Sequence, residues 1–330
     1  MRRLAHIALL ATMALSGCAQ AQSPTAGTSL TLEREVLLPG VKGRIDHLTL
    51  DPAHHRLFVA EIANGTVDAI DLVSGKMQRI SGLAEPQGVA YLPAQNQLVV
   101  ASGGDGTVRF YNAATLAPLG QIKLGDDADN VRVDKPSGQI AVGYGSGAIA
   151  LIDPARREVI GRIDLPAHPE GFQIDDGSAR LYVNLPNAGT VAVADLHSAK
   201  VTARWVAPHR LNFPMALGAE GKQIAIVSRL PAHVTWFDAA SGAVRLDLPT
   251  CGDADDIFRD AKRHRWYVSC GSGKVEIFAE QGSAITAMGT VQTGTGGRTS
   301  LFSPELDRLI VAVPAGWTGS AKLLLLKPNE

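Results

Sequence analysis

The sequence predicts an all-β chain folded as one seven-bladed β-propeller of four-stranded antiparallel blades. Three observations carry the prediction. An apolar strand recurs seven times at a spacing of 41 to 43 residues, the period of a propeller blade. The chain holds 34 glycines and 18 prolines, which suits many short strands joined by tight turns rather than a helical bundle. A strand near the start has no unit of its own, and the last unit is one strand short.

The elements follow in chain order. Arg2 and Arg3 form a positive n-region, and Leu4 to Leu15 an apolar stretch too short to span a bilayer as a mature helix. The stretch ends in Leu15-Ser16-Gly17-Cys18, which resembles the lipobox of bacterial lipoproteins, with the Cys18 thiol as the site of lipid attachment. The other reading is an ordinary secretory signal cleaved after Ala19-Gln20-Ala21. Residues 1–18 are thus expected to be a lipoprotein signal peptide and 19–30 a flexible tether, with the propeller at 31–327. Ala19 after the cysteine, under the lipoprotein sorting rule, implies a periplasmic protein anchored in the outer membrane. A single acyl chain binds membrane only marginally, so lasting attachment takes more than one.

The seven markers are the second strands of the blades: Arg56 to Val59, Gln97 to Val100, Gln139 to Val142, Arg180 to Val183, Gln223 to Ile226, Arg265 to Val268 and Arg308 to Val311. A polar turn precedes each marker, and a glycine-containing turn with a third strand follows, as in Gly65 to Asp71. A lone four-stranded sheet cannot bury both faces, whereas blades stacked in a ring cover one another and leave short, protected edges. The seventh unit reaches only its third strand, Lys322 to Leu326. Thr31 to Leu38 is expected to pair with Leu323 to Leu326 and close the ring.

Leu181-Tyr182-Val183-Asn184, Ala188-Gly189-Thr190-Val191 and Asp195 make the repeat resemble the YVTN-type propeller family, and more closely the YncE-like envelope propellers. The resemblance covers residues 31–327 through its period. It implies fold and bacterial envelope location and leaves the activity open, because propellers host many unrelated functions. Cys251 leads into the sixth blade and Cys270 ends its second strand, so both sulfurs fall at one end of the blade. In an oxidising envelope they form a disulfide; otherwise they stay as two buried thiols. No cysteine and histidine spacing suggests zinc.

Binding in propellers falls around the central tunnel, on the face carrying the loops that lead into each blade. Aligning the units places Asp46, Gln87, Asp129, Glu170, Pro214, Asp255 and Thr299 at one position. His47, Asn130 and Asp256 stand at the next, and Arg298 and Arg44 lie in the same loops. These residues make an acidic tunnel mouth with scattered bases. Close carboxylates repel unless a cation, a proton or backbone amides compensate. Two readings follow: Asp129, Glu170, Asp255 and Asp256, with His47 nearby, hold a divalent cation, or each Asp accepts hydrogen bonds from turn amides. Arg229 and His233 in the fifth blade and Trp317 in the seventh occupy turns on the same face, where they would meet an anionic or stacking ligand. His54, His55, His197 and His264 are expected to be solvated on the opposite face.

Charges nearly cancel, with 31 basic and 32 acidic residues, and no basic stripe interleaves with aromatics, so nucleic acid is not an expected partner. No Gly-x-Ser-x-Gly elbow occurs, and no Cys-x-x-Cys-His haem attachment motif. Three functions remain. The favoured one is a non-enzymatic binding or scaffold module for a partner protein or small molecule. The second is a metal-dependent lactone or ester hydrolase, by analogy with lactonase propellers whose motifs are not matched residue by residue. The third is an accessory to a periplasmic redox system.

Overall fold

The structure, a computed structural model, describes residues 29–316 and 319–330. The leader, Cys18 and Trp317 lie outside the described residues, as does nearly all of the tether. Seven four-stranded antiparallel sheets follow one another along the chain. Blade 1 runs from Leu48–Asp51 to Met77–Ser81, blade 2 from Pro86–Leu92 to Pro118–Lys123, and blade 3 from Val131–Val133 to Glu158–Asp164. Blade 4 runs from Phe172–Asp175 to Lys200–Val206, blade 5 from Arg210–Leu217 to Val244–Pro249, and blade 6 from Ala254–Asp260 to Ala284–Gln292. Blade 7 takes Thr299–Ser303, Arg308–Val313 and Lys322–Pro328 from one end of the chain and Leu30–Leu37 from the other.

Side-chain alternation explains the recurring marker. Along a strand, successive residues point to opposite faces, and the second strand of a blade is covered on both. In blade 1, Leu57 and Val59 pack with Ile310, Leu323 and Leu325 of blade 7, while Phe58 and Ala60 pack with Val89, Leu98 and Val100 of blade 2. The same division recurs around the ring, with one apolar cluster at each of the seven contacts between neighbouring blades. A strand covered on both faces reads as a continuous apolar run. The outermost strands lie at the other extreme. Pro118–Lys123 is almost wholly exposed, which is why these strands carry a weak sequence signal.

The predicted closure is present. Thr31 faces Lys327, Leu32 faces Leu326 and Val36 faces Leu323 in an antiparallel pairing. Arg308 bonds Glu33, and Lys322 reaches Glu35 at 2.8 Å. Cys251 and Cys270 form the disulfide, with Cα atoms 5.9 Å apart. It ties the loop leading into blade 6 to the end of that blade's second strand.

On the face away from the mouth, the third strands of several blades end in an aspartate or asparagine that caps the following turn. Asp71 Oδ1 accepts from the amides of Val73 and Ser74, both at 2.8 Å. Asn112 and Asp153 do the same in their blades, and Asp195 and Asp238 accept the amide three residues on. These are Asx turns, and His54, His55, His197 and His264 lie exposed on the same face.

Candidate functional site at the tunnel mouth

A repeated irregularity of the innermost strands builds the site. In blade 1 the amide of Asp46 donates to the Ala60 carbonyl at 2.8 Å, and the Ala60 amide donates to His47 at 3.0 Å. Two residues therefore oppose one, which is a β-bulge. Asp129 and Asn130 oppose Gly143 in the same way, and Glu170 and Gly171 oppose Asn184. In blades 2, 5 and 6 the register shifts between Pro86 and Val89, Asn212 and Met215, and Ala254 and Asp256. A bulge turns its extra side chain off the regular alternation, here toward the tunnel. Glycine at the second bulge position lets neighbouring blades close in: a Cβ on Gly171 would lie 2.3 Å from the Phe213 carbonyl oxygen.

The aligned residues meet around two connected spaces. A cavity of about 530 Å³ runs down the channel and is lined by Asp46, His47, Asp129, Asn130, Glu170, Asp255, Asp256 and Thr299, among others. A second of about 460 Å³ lies at the mouth between Gln87, Asp127, His168, Arg229 and Arg298. Arg44, Asp129, Glu170, Phe213 and Asp255 border both. Gln87 turns to the mouth and donates to Asp127 at 3.3 Å.

Arginines divide the carboxylates. Asp255 is clamped by Arg229 at 2.5 Å and by Arg298 at 3.1 Å. Arg298 also holds Asp253 at 2.8 Å. Arg229 stacks on the Phe213 ring at 4.1 Å and donates to the Ala254 carbonyl, so its charge is engaged within the protein. Asp256 accepts the Ser300 amide at 2.7 Å. Of the four carboxylates expected to share a cation, only Asp129 belongs to a set of three ligand-bearing side chains within 4.8 Å among the described residues. Its companions are Asp46 and His47.

That set is under-satisfied. Arg44 donates to Asp46 Oδ1 at 3.0 Å. Asp46 Oδ2, Asp129 Oδ1, Asn130 Oδ1 and His47 Nδ1 are all buried without a hydrogen-bond partner in the protein. Asp46, Asp129 and Asn130 are each less than a tenth exposed. Burial, reinforced by Asp46, Glu170 and Asp127, pushes the Asp129 carboxyl far above the usual carboxylate range. Burial likewise raises Asp256 and Asp255, and lifts Glu170 to about 7 against the opposing pull of His168. Burial lowers His47, with Arg132 adding to the effect and Asp46 opposing it, which keeps the imidazole neutral. A neutral imidazole beside two carboxylates is a donor set for a cation.

Arg132, on the channel wall of blade 3, was not singled out from the sequence. Its guanidinium lies 5.6 Å from the Phe172 ring centroid. The signal available for it was its place two residues beyond Asn130, on the first strand of its blade.

No protein-family model and no curated protein matches this sequence. Solved structures do. A chain of Kuenenia stuttgartiensis hydrazine synthase superposes with a TM-score of 0.75 at 19% identity, over 88% of this chain and 98% of that one. A chain from the mitotic checkpoint complex superposes with a TM-score of 0.78 at 16% identity, over 97% and 99%. The likeness is one of fold. At these identities it shows the seven-bladed propeller fold and carries no activity from either protein to this one.

Proposed function

We propose that this protein is a binding propeller whose tunnel mouth takes up a divalent cation through Asp46, His47 and Asp129, with Asn130 beside them. One observation carries the reading: Asp46 Oδ2, His47 Nδ1 and Asp129 Oδ1, buried on the three side chains whose ligand-bearing atoms meet, have no hydrogen-bond partner within the protein. Leaving one such atom unpaired costs about 1–3 kcal/mol, and more when it is charged, so a cluster of them points to a ligand that completes it. Two carboxylates with one imidazole favour a hard cation such as Ca²⁺ or Mn²⁺ over a thiophilic one. Burial and the neighbouring Asp46 raise the Asp129 carboxyl, and a bound cation would offset that repulsion.

The lipobox-like Leu15 to Cys18 supports an envelope location, anchored by lipid on the periplasmic side of the outer membrane. The YVTN-like repeat supports a scaffold role for the ring, with the bound ion organising the mouth for a partner protein or small molecule. Metal-assisted lactone or ester hydrolysis is the second reading. It is favoured by His47, a neutral imidazole placed beside Asp46 to act as base.

The test is thermal unfolding of the purified protein with EDTA, Ca²⁺ or Mn²⁺, alongside Asp46→Asn/Asp129→Asn. The proposal predicts a rise in melting temperature with one of the ions that the double variant does not share. No rise in either protein would overturn it. Turnover of simple lactones that requires the ion would establish the second reading, and its loss in His47→Gln with the ion still bound would assign the base.

A further inference from the structure

A second constellation sits on the mouth face of blade 5, outward from the tunnel. His209 precedes the innermost strand, His233 is the second residue of the third strand, and Asp247 lies near the end of the fourth. His209 Nε2 lies 2.9 Å and His233 Nδ1 2.7 Å from Asp247 Oδ2. All three ligand atoms are within 4.8 Å of one another. The two imidazole rings are 4.2 Å apart, centre to centre, and tilted by 49°.

The backbone explains the meeting. His233 and Thr235 are two residues apart and share one face of their strand. Thr235 stands directly opposite Asp247 in the antiparallel register. The Thr235 hydroxyl, fully buried, donates to Asp247 Oδ1 at 2.6 Å. That bond fixes the carboxylate with its other oxygen turned toward both histidines. The side chains of His209, His233 and Asp247 keep 19, 24 and 29% exposure, so an ion reaches them from solvent.

We propose that His209, His233 and Asp247 bind a divalent transition-metal ion, zinc above all, with Thr235 as the positioning residue for the carboxylate. Two imidazoles and one carboxylate suit a borderline ion rather than the oxygen-seeking calcium or magnesium. Zinc holds such ligands at about 2.0–2.1 Å, which puts neighbouring ligand atoms about 3.3 Å apart. The contacts of 2.9 and 2.7 Å reach that spacing by opening roughly half an ångström. Three protein ligands leave a coordination position on the exposed side for water or a ligand group. This site shares no residue with the one at the tunnel mouth and does not rest on it.

The test is titration of the purified full-length protein with Zn²⁺ by calorimetry, and with Co²⁺ by visible absorption. The probes are the metals alone. The parallel proteins are His209→Gln/His233→Gln, Thr235→Val, and Asp46→Asn/Asp129→Asn at the tunnel mouth. The proposal predicts one equivalent bound with the intense absorption of tetrahedral cobalt. It also predicts loss of both signals in the double histidine variant and retention in the mouth variant. Thr235→Val should bind 10- to 100-fold more weakly, the usual effect of losing a group that orients a ligand. Melting in EDTA shows whether the histidine variant folds. If it does not, the wild-type imidazole proton resonances decide, through zinc-induced shifts of His209 and His233. Binding that survives in the histidine variant overturns the proposal, as does wild-type protein that takes up no zinc or leaves those resonances unmoved.

Discussion

Removing residues 1–38, so that the chain begins at Pro39, takes away the fourth strand of blade 7. The consequence follows from what that strand buries. Leu30 is 2%, Val36 6% and Leu38 0% exposed. Fully burying an aliphatic side chain is worth about 1.5–3 kcal/mol, so the three together contribute about 5–9 kcal/mol before backbone pairing with Lys322–Pro328 is counted. A domain is typically stable by about 5–15 kcal/mol in all. The shortened chain is therefore expected to lose most of its stability and to expose Leu324 and Leu326 along an unpaired, aggregation-prone edge. Scanning calorimetry and size-exclusion chromatography of the intact and shortened chains measure this. A peptide of residues 29–38 added in trans should restore part of the lost melting temperature in a concentration-dependent way. Leu37→Ala, at a side chain 58% exposed, serves as the control and should be nearly silent. A shortened chain that stays monomeric and melts within a few degrees of the intact one would refute the argument that this strand fastens the ring.

Three further outcomes follow from the same structure. Cys251→Ala/Cys270→Ala removes a crosslink spanning 19 residues and should cost about 3 kcal/mol. Denaturant unfolding checks it, and reductant should bring the wild type down to the variant's midpoint. Glu61 is buried beside Asp68, which Arg79 holds through two bonds of 2.6 Å. Burial lifts the Glu61 carboxyl to about 8, with the Thr66 hydroxyl bond opposing and Asp68 reinforcing the rise. A raised carboxyl pKa means the folded state keeps a proton that the unfolded chain releases. This contribution to stability is complete below the ordinary carboxyl range and is lost as pH climbs through about 8, by at most about 1.4 kcal/mol per pH unit. Melting curves from pH 5 to 9 should therefore converge on wild-type stability at the acid end and separate at the alkaline end when compared with Glu61→Gln; parallel curves would contradict the assignment. Finally, Gly171→Ala drives a Cβ into the Phe213 carbonyl and should cost about 1–3 kcal/mol. Gly252→Ala, which meets nothing within 4 Å, should change little, and equal effects at the two sites would contradict the close-packing argument.

The ring was legible in the sequence because the most regular part of each blade is also its most buried. Leu57, Val59 and their counterparts are covered on both faces, so they stay apolar whatever the loops do. The closing strand was legible from counting strands, and the disulfide from the direction in which successive strands run. The mouth was legible as a ring of equivalent positions, because the bulges at Asp46, Asp129 and Glu170 recur in register. Its internal pairing was not. Arg229 and Arg298 reach Asp255 from blade 5 and from the loop leading into blade 7, and only closure of the ring sets those distances. Of the mouth residues prominent in the sequence, Asp46, His47, Asp129 and Asn130 accordingly keep a buried atom without a hydrogen-bond partner, whereas Asp255 and Asp256 do not. Asp247 was invisible for a related reason. It lies on an outer strand of weak pattern, and its meeting with His209 and His233 depends on cross-strand register and on a loop from the preceding blade.

The central claim is that the buried acceptors at the tunnel mouth are completed by a cation. It is tested most directly by metal analysis of the protein purified without chelator, together with equilibrium dialysis against Ca²⁺ and Mn²⁺ and the same measurement on Asp46→Asn/Asp129→Asn. The account predicts close to one oxygen-seeking cation per chain in the wild type and none at that site in the variant, with the zinc content of the two proteins unchanged. Wild type and variant that retain and bind the same amounts of calcium and manganese would contradict it.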